Sequence, residues 1–441
     1  MRGWLGLCLF GFACGPAEAG PEAPPPDPPG KKVCTTADDC PGAACGRDNL
    51  CRPSGAGGAG LGELCADDEG CASAYCDDGV CSSLCGSCPS GAICSLDRLC
   101  RYRLAAPALS LGPVTTTVDG AQPVSFEVPA DTGAVVVVIE DPDRLRVAAR
   151  RLSRPDGMVL TDPFDAEAEI IPVASYPGAA SVLIANTDDP RATPVPGAWQ
   201  LTVGSYDPAN FETLAPVPGA IERIHVLFEP LAEAGGTMDL ELLLAPGTQL
   251  NAASATSSQV LIDLLDEVQV RLLEPIGAEL GTVRYRDLPS DNDVIEDGNE
   301  TRRLCEAHSR PGPHGTSINV AIVADLAYTS GHAGGSPGPP GIYGTPASCV
   351  VIERLGGARS TGLLMAHELG HYLGLRHTTE LNGNGDPISD TPLCAAGTPV
   401  DQCPDYENLM FPTFPLGREL TLSPAQIEIA RRSPWLYERP L

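Results

Sequence analysis

Lysine is almost missing from this chain of 441 residues: it stands only at Lys31 and Lys32, so arginine carries nearly all of the positive charge. Acidic residues outnumber basic ones 57 to 28, a net charge of -29. With no basic patch to neutralise phosphates, nucleic acid is excluded as a partner. Beyond the N-terminus no apolar run approaches the ~20 residues that a membrane-spanning helix needs. Aromatic residues make up 5% and histidine occurs only seven times, so several histidines gathered in one motif would be a strong signal. The hydrophobic fraction of 43% is enough to bury a sizeable core, and the length suits two to four domains. Acid in such excess suits solubility and calcium binding outside the cell, though most of it is simply solvated.

The first residues read as an export signal. Arg2 supplies the positive end and residues 4–13 a short apolar run, too short to span a bilayer stably. Two processing readings compete. Ala17-Glu18-Ala19 is a small-x-small cleavage site, which makes residues 1–19 the signal peptide of a secreted protein. Gly11-Phe12-Ala13-Cys14 instead resembles a bacterial lipobox, which makes the protein an outer-surface lipoprotein held to the membrane only by a lipid anchor at Cys14. Residues 20–33 are a proline-rich linker, stiff and extended.

Of 18 cysteines, two lie in the signal region, twelve between Cys34 and Cys100, and four later. Even groups in an exported chain read as disulfide frameworks. Residues 34–101 repeat a four-cysteine unit three times with few aliphatic residues, so the units need covalent staples in place of a core. A zinc-binding reading of Cys85-x2-Cys88 is the alternative. The module reads as a small extracellular spacer, or as the docking site of a surface partner. Cys394 and Cys403 flank a short loop and are expected to pair, leaving Cys305 for Cys349.

From 102 to 235 short β-rich runs (124–128, 134–139, 180–184, 199–203, 224–228) alternate with Pro, Gly and Asp clusters, the pattern of an all-β sandwich. The last of these runs holds His225, read as a strand residue. Residues 186–207, with Pro196-Gly197 turning into Trp199, bear a weak resemblance to bacterial pre-peptidase β-domains. From 236 to 441 strands and helices alternate: strands at 238–244, 282–285, 318–324 and 349–353, a long helix at 254–280, a second centred on 364–373 and a last one at 424–432. The fold class expected is thus multidomain: Cys-rich repeats, then an all-β sandwich, then an α/β unit.

The chemistry concentrates in His367-Glu368-Leu369-Gly370-His371-Tyr372-Leu373-Gly374-Leu375-Arg376-His377. Residues four apart on a helix project from one face, so His367 and His371 can share a metal. Glu368 beside them is placed to take a proton from a water at the metal rather than to bind it. Gly374 lets the chain leave the helix with positive φ and bring His377 round as the third ligand. Three neutral imidazoles leave a fourth zinc position open, the mark of a catalytic rather than a structural site.

At these residues the chain resembles the metzincin zinc metalloproteases, which carry HExxHxxGxxH and a later methionine turn. Asn408-Leu409-Met410 stands where that turn belongs, and Asp390-Thr391-Pro392 between the two elements is most like the pappalysin (cytophagalysin) branch. The resemblance covers residues 238–441. It implies a twisted, mostly parallel sheet above an irregular lower subdomain, zinc on His367, His371 and His377, Glu368 as general base and acid, Met410 as an apolar floor, and protein or peptide substrates. One departure is Pro412, where related enzymes often carry a tyrosine that helps stabilise the oxyanion; Tyr406 is a candidate replacement.

Two acidic loops offer the oxygen ligands that calcium prefers: Asn382, Asn384, Asp386 and Asp390 form one, and residues 291–300 the other. His308, His314 and His332 lie in loops that can line the cleft. The rival functional reading is a cell-surface binding protein in which the metalloprotease unit is a weakly active or latent scaffold; a further reading is a latent protease, with residues 20–235 covering the cleft until they are cut.

Overall fold

In the computed structural model the described residues are 108–436, with short gaps at 117–121, 142, 162–170, 186–189, 208–215, 231–234, 312–316, 381–384, 387 and 414–417, together with scattered positions between 44 and 102. Among the latter, Ala44–Cys45 pairs with Cys51–Arg52, Cys76–Asp77 with Val80–Cys81, and Leu99–Tyr102 with both Ser83–Leu84 and Ala92–Cys94. Cys71 is buried and disulfide-bonded. The export signal, the lipobox and the proline-rich linker lie outside the described residues.

The chain is mostly β with few helices. Nine strands follow one another from residue 108: β1 (Ala108–Thr115), β2 (Gln122–Val128), β3 (Thr132–Glu140), β4 (Arg146–Ser153), β5 (Val159–Thr161), β6 (Val173–Tyr176), β7 (Ala179–Ala185), β8 (Gly197–Tyr206) and β9 (Ile221–Pro230). They form two antiparallel sheets, ordered β6-β7-β3-β9-β1 and β5-β4-β8-β2. Between the sheets lie Val135, Val137, Ile139, Val182, Ile184, Leu201, Val203 and the fully buried Trp199.

Strand β3 shows why Val135, Val136, Val137, Val138 and Ile139 run without a polar break. Successive side chains of a strand point to opposite faces. Val135, Val137 and Ile139 face the sandwich core, while Ala134, Val136 and Val138 belong to a second buried cluster shared with the α/β unit. Strand β7 alternates likewise, with Val182 and Ile184 inside and Ala179, Leu183 and Ala185 outside. This sheet is therefore covered on both faces.

The α/β unit consists of β10 (Gly236–Leu244), α1 (Gln259–Val268), β11 (Ala278–Asp287), α2 (Gly298–His308), β12 (Ile318–Val323), β13 (Gly331–Ala333), β14 (Cys349–Glu353), α3 (Ala358–Tyr372) and α4 (Pro424–Ala430), and the second cluster runs through all of these but α2 and β13. The strands form one sheet in the order β11-β10-β12-β14-β13. All neighbours pair in parallel except β13, which runs antiparallel along β14 at the edge. The helix expected at 254–280 is shorter. It begins at Gln259, widens into a π turn over Gln269–Leu273 and stops. Pro275 and then Gly277, at φ 71°, break it, and the chain enters β11 at Ala278. Disulfides join Cys305 to Cys349 and Cys394 to Cys403.

At one end of the sandwich Asp141 and Glu222 lie side by side and buried, with the Ser205 hydroxyl donating to Glu222. Burial, with the neighbouring charges of Asp141 and Asp143 adding to it, pushes Glu222 up to about 8. A carboxyl whose folded pKa is raised contributes stability that is complete below its unfolded pKa of about 4.5 and is lost as pH rises through the folded value. The melting temperature of wild type should therefore fall relative to Glu222→Gln as pH is raised from 5 to 9. Parallel thermal melts of the two proteins check this, and equal pH profiles would refute it.

Candidate metal centre

Helix α3 is buried along nearly its whole length, a core helix rather than a surface one. It carries His367 and His371 on the same face. After Tyr372 the chain turns at Gly374, whose φ of 111° is strained for any residue with a side chain. The turn returns His377 to the two helical histidines. The Nε2 atoms of His371 and His377 lie 3.1 and 3.2 Å from that of His367.

Each histidine is aimed by a hydrogen bond from its other ring nitrogen. His367 Nδ1 donates to the Leu409 carbonyl at 2.7 Å, His371 Nδ1 to the Leu375 carbonyl at 2.8 Å, and His377 Nδ1 to Glu380 Oε1 at 3.0 Å. Carbonyls and carboxylates only accept, so the proton sits on Nδ1 and the Nε2 lone pair is left bare. Three lone pairs converging without a proton between them repel one another unless a cation joins them. With Zn–N bonds of 2.0–2.1 Å, tetrahedral ligands stand about 3.4 Å apart, close to the spacing here. Burial, reinforced by the other histidines, pushes His367 down to about 3 and His371 well below the usual range. These two are thus held in the neutral form that binds metal. The residues fit zinc.

Glu368 lies beside the triad but outside it: the group of side chains able to share one ion is His367, His371 and His377. Its carboxylate accepts the Ala333 backbone N–H, and burial pushes it up to about 8. Strand β13 runs close over it. A Cβ on Gly331 would fall 2.3 Å from Glu368 Oε1, so only glycine lets the strand pass.

The Asn408-Leu409-Met410 segment is wired to the histidines. Leu409 supplies the carbonyl for His367, and the Met410 carbonyl accepts the Thr378 N–H, next to His377. Met410 is fully buried, and a Cβ on Gly370 would meet its sulfur at 2.6 Å. The turn is closed by Asn408, whose Oδ1 accepts the Met410 N–H at 2.8 Å.

Other candidates fall elsewhere. Tyr406 packs edge-to-face on Phe411 at 5.6 Å. His225 lies on β9, in the sandwich. His332 lies on β13 beside Tyr328, and burial pushes it down to about 4. His308 ends α2, and His314 lies outside the described residues. In the second acidic loop Asp297 caps α2 and Asp293 accepts the Gly247 N–H, which accounts for both structurally. Of the proposed calcium set, Asn382 and Asn384 lie outside the described residues. Both oxygens of Asp390 are engaged, by the Ser423 hydroxyl at 2.7 Å and the Ala425 N–H at 2.8 Å, at the start of α4. Asp386 accepts the Thr391 hydroxyl, and burial pushes it up to about 7. The roles that sequence reasoning missed are those of Gly331, Ala333, Glu380 and the Leu375 and Leu409 carbonyls. Of these only Glu380, a carboxylate three places after His377, left a signal in the sequence.

No protein-family model matches the chain. It is 26% identical over 233 residues to extracellular metalloprotease 1 of Coccidioides posadasii, a match covering 48% of this chain and 80% of that protein. It is also 26% identical over 245 residues to an extracellular metalloprotease of Neurospora crassa, covering 49% and 83%. These relatives support a metalloprotease family. Among solved structures, metalloproteinase-II from Bacteroides fragilis matches 49% of this chain and 63% of its own at 12% identity, with a TM-score of 0.31, too low to bear on the fold. A metalloprotease implies a metal, usually zinc, and the histidine triad is compatible with one.

Proposed function

We propose that this metalloprotease is a secreted, zinc-dependent endopeptidase of the metzincin type, in the pappalysin branch, acting on proteins or peptides. The observation that carries the reading is the convergence of three histidine Nε2 atoms, with a carboxylate beside them that takes no part in the triad. Zinc bound there supplies Lewis acidity, making a water acidic and polarising a peptide carbonyl. His367, His371 and His377 would hold the ion, each fixed through Nδ1. Glu368 takes the proton from the attacking water and passes it to the departing amine. The Ala333 N–H holds one carboxylate oxygen in place for both transfers. Met410 keeps the underside of the ligands apolar and dry. Two disulfides and the relatives' extracellular naming support secretion. The 236–441 segment is then the catalytic unit, and residues 34–101 a Cys-rich module.

Casein hydrolysis by the purified full chain, with zinc content measured, tests the proposal. About one zinc per chain and hydrolysis that stops on chelation and returns with zinc are expected; a metal-free chain or chelator-resistant hydrolysis would overturn it.

Calcium at Asp386 is a second, subsidiary proposal. It rests on a carboxylate whose Oδ2 is buried with no hydrogen-bond partner among the described residues. Mild calcium chelation that spares zinc should lower the melting temperature of wild type and leave Asp386→Asn unmoved. Equal curves with and without chelator would remove calcium.

A further inference from the structure

The turn that delivers His377 does not rest on the α/β unit alone. At Gly374 the space a Cβ would take is filled by Leu183 of strand β7, whose Cδ2 would lie 2.4 Å away. Ser181, two residues earlier on the same outward face, donates to the Pro337 carbonyl at 2.6 Å. The segment around Pro337 is tied in turn to the end of α3: the Ser336 hydroxyl donates to the Leu375 carbonyl at 3.0 Å, and the Gly338 N–H to the Tyr372 carbonyl at 2.9 Å. That Leu375 carbonyl is the one that receives His371 Nδ1. From the other side Arg376, the residue before His377, donates to the Ile171 carbonyl of the sandwich at 2.8 Å.

We propose that the outward face of the β-sandwich is a positioning element of the metal centre, with Leu183 and Ser181 holding the 374–377 turn and so fixing His371 and His377 for the metal. The proposal rests on the zinc reading above and gives the sandwich a part in it. Groups that orient metal ligands through one intermediate bond typically change metal affinity by about 10- to 100-fold when removed. Leu183 is such a group by packing: without it the Gly374 backbone has a void beside it, and the carbonyl that aims His371 is free to shift. Ser181 acts through Pro337 and Ser336. Val182 lies between them on the same strand but faces the sandwich core, so losing its methyl groups costs packing without touching the turn.

The test is the zinc dissociation constant, by competition with a chromogenic chelator, at a temperature where every variant keeps the wild-type circular dichroism. Leu183→Ala should bind zinc at least about 10-fold more weakly, while Val182→Ala stays within about twofold of wild type. Leu183→Met, which refills the space, should restore most of the affinity. If Leu183→Ala fails to fold, Ser181→Ala and Arg376→Gln carry the measurement, with weaker binding expected in both. Wild-type affinity in all folded variants of the turn face, or equal weakening by Val182→Ala, would overturn the proposal. Failure of wild type itself to bind zinc would instead sink the metal reading on which it stands.

Discussion

Glu368→Gln is expected to lower kcat/KM for a protein substrate by about 10²- to 10⁴-fold, the usual worth of a positioned general base and acid, while zinc content stays at the wild-type level. The substitution keeps the size of the side chain and one oxygen able to accept the Ala333 N–H. It removes only the capacity to take a proton. Because Glu368 is not one of the three side chains that share the ion, the metal should remain. Zinc analysis beside a casein assay reads both quantities. Loss of zinc together with activity would make Glu368 a ligand or a support of the triad. Full activity with zinc retained would hand the proton transfer to another group, for which His332, on the same strand as Gly331 and Ala333, is a candidate.

Gly331→Ala should be nearly as damaging, and for a reason no motif contains. The new methyl would fall 2.3 Å from Glu368 Oε1, 2.7 Å from Cδ and 2.8 Å from Cγ, so the whole end of the side chain is in its way. Either the carboxylate swings aside or β13, a three-residue edge strand whose sheet partner among the described residues is β14 alone, lifts away. Both move the base relative to the substrate, and a misplacement of about 1 Å can cost about 100-fold in rate. Zinc content should be unchanged. The cause is separable by adding Glu368→Ala: the double variant has room for the methyl, so it should recover the stability that Gly331→Ala loses. If Gly331→Ala cleaves casein at the wild-type rate, the strand does not pass over the base as described.

The parts of the site visible in the sequence are those set by local geometry. A four-residue interval on a helix puts His367 and His371 together, and one glycine with positive φ brings His377 round. What aims the rings was invisible, because Leu409 and Leu375 act through backbone carbonyls, which every residue possesses. Gly331 was hidden for a related reason: its neighbour in space is 37 positions away, and nothing in its surroundings marks it out. The fold divides in the same way. The strand at 349–353 was placed correctly from its apolar run. The helix expected at 254–280 is longer than the observed one because the apolar pattern continues past Pro275 into what is a strand. In residues 134–139 the apolar run marks a strand but not that both of its faces are buried.

That two-sided burial bears on how the protein dies when heated. Strands β3 and β7 have no solvent face to fall back on, so the sandwich and the sheet bearing the metal centre cannot melt separately without baring a valine-rich ribbon. A single cooperative calorimetric transition follows for residues 108–436. Once it is crossed, a stretch such as 134–139, apolar, uncharged and strongly β-forming, is the kind of segment that pairs with its own copies. Heat inactivation should therefore be irreversible and faster at higher protein concentration.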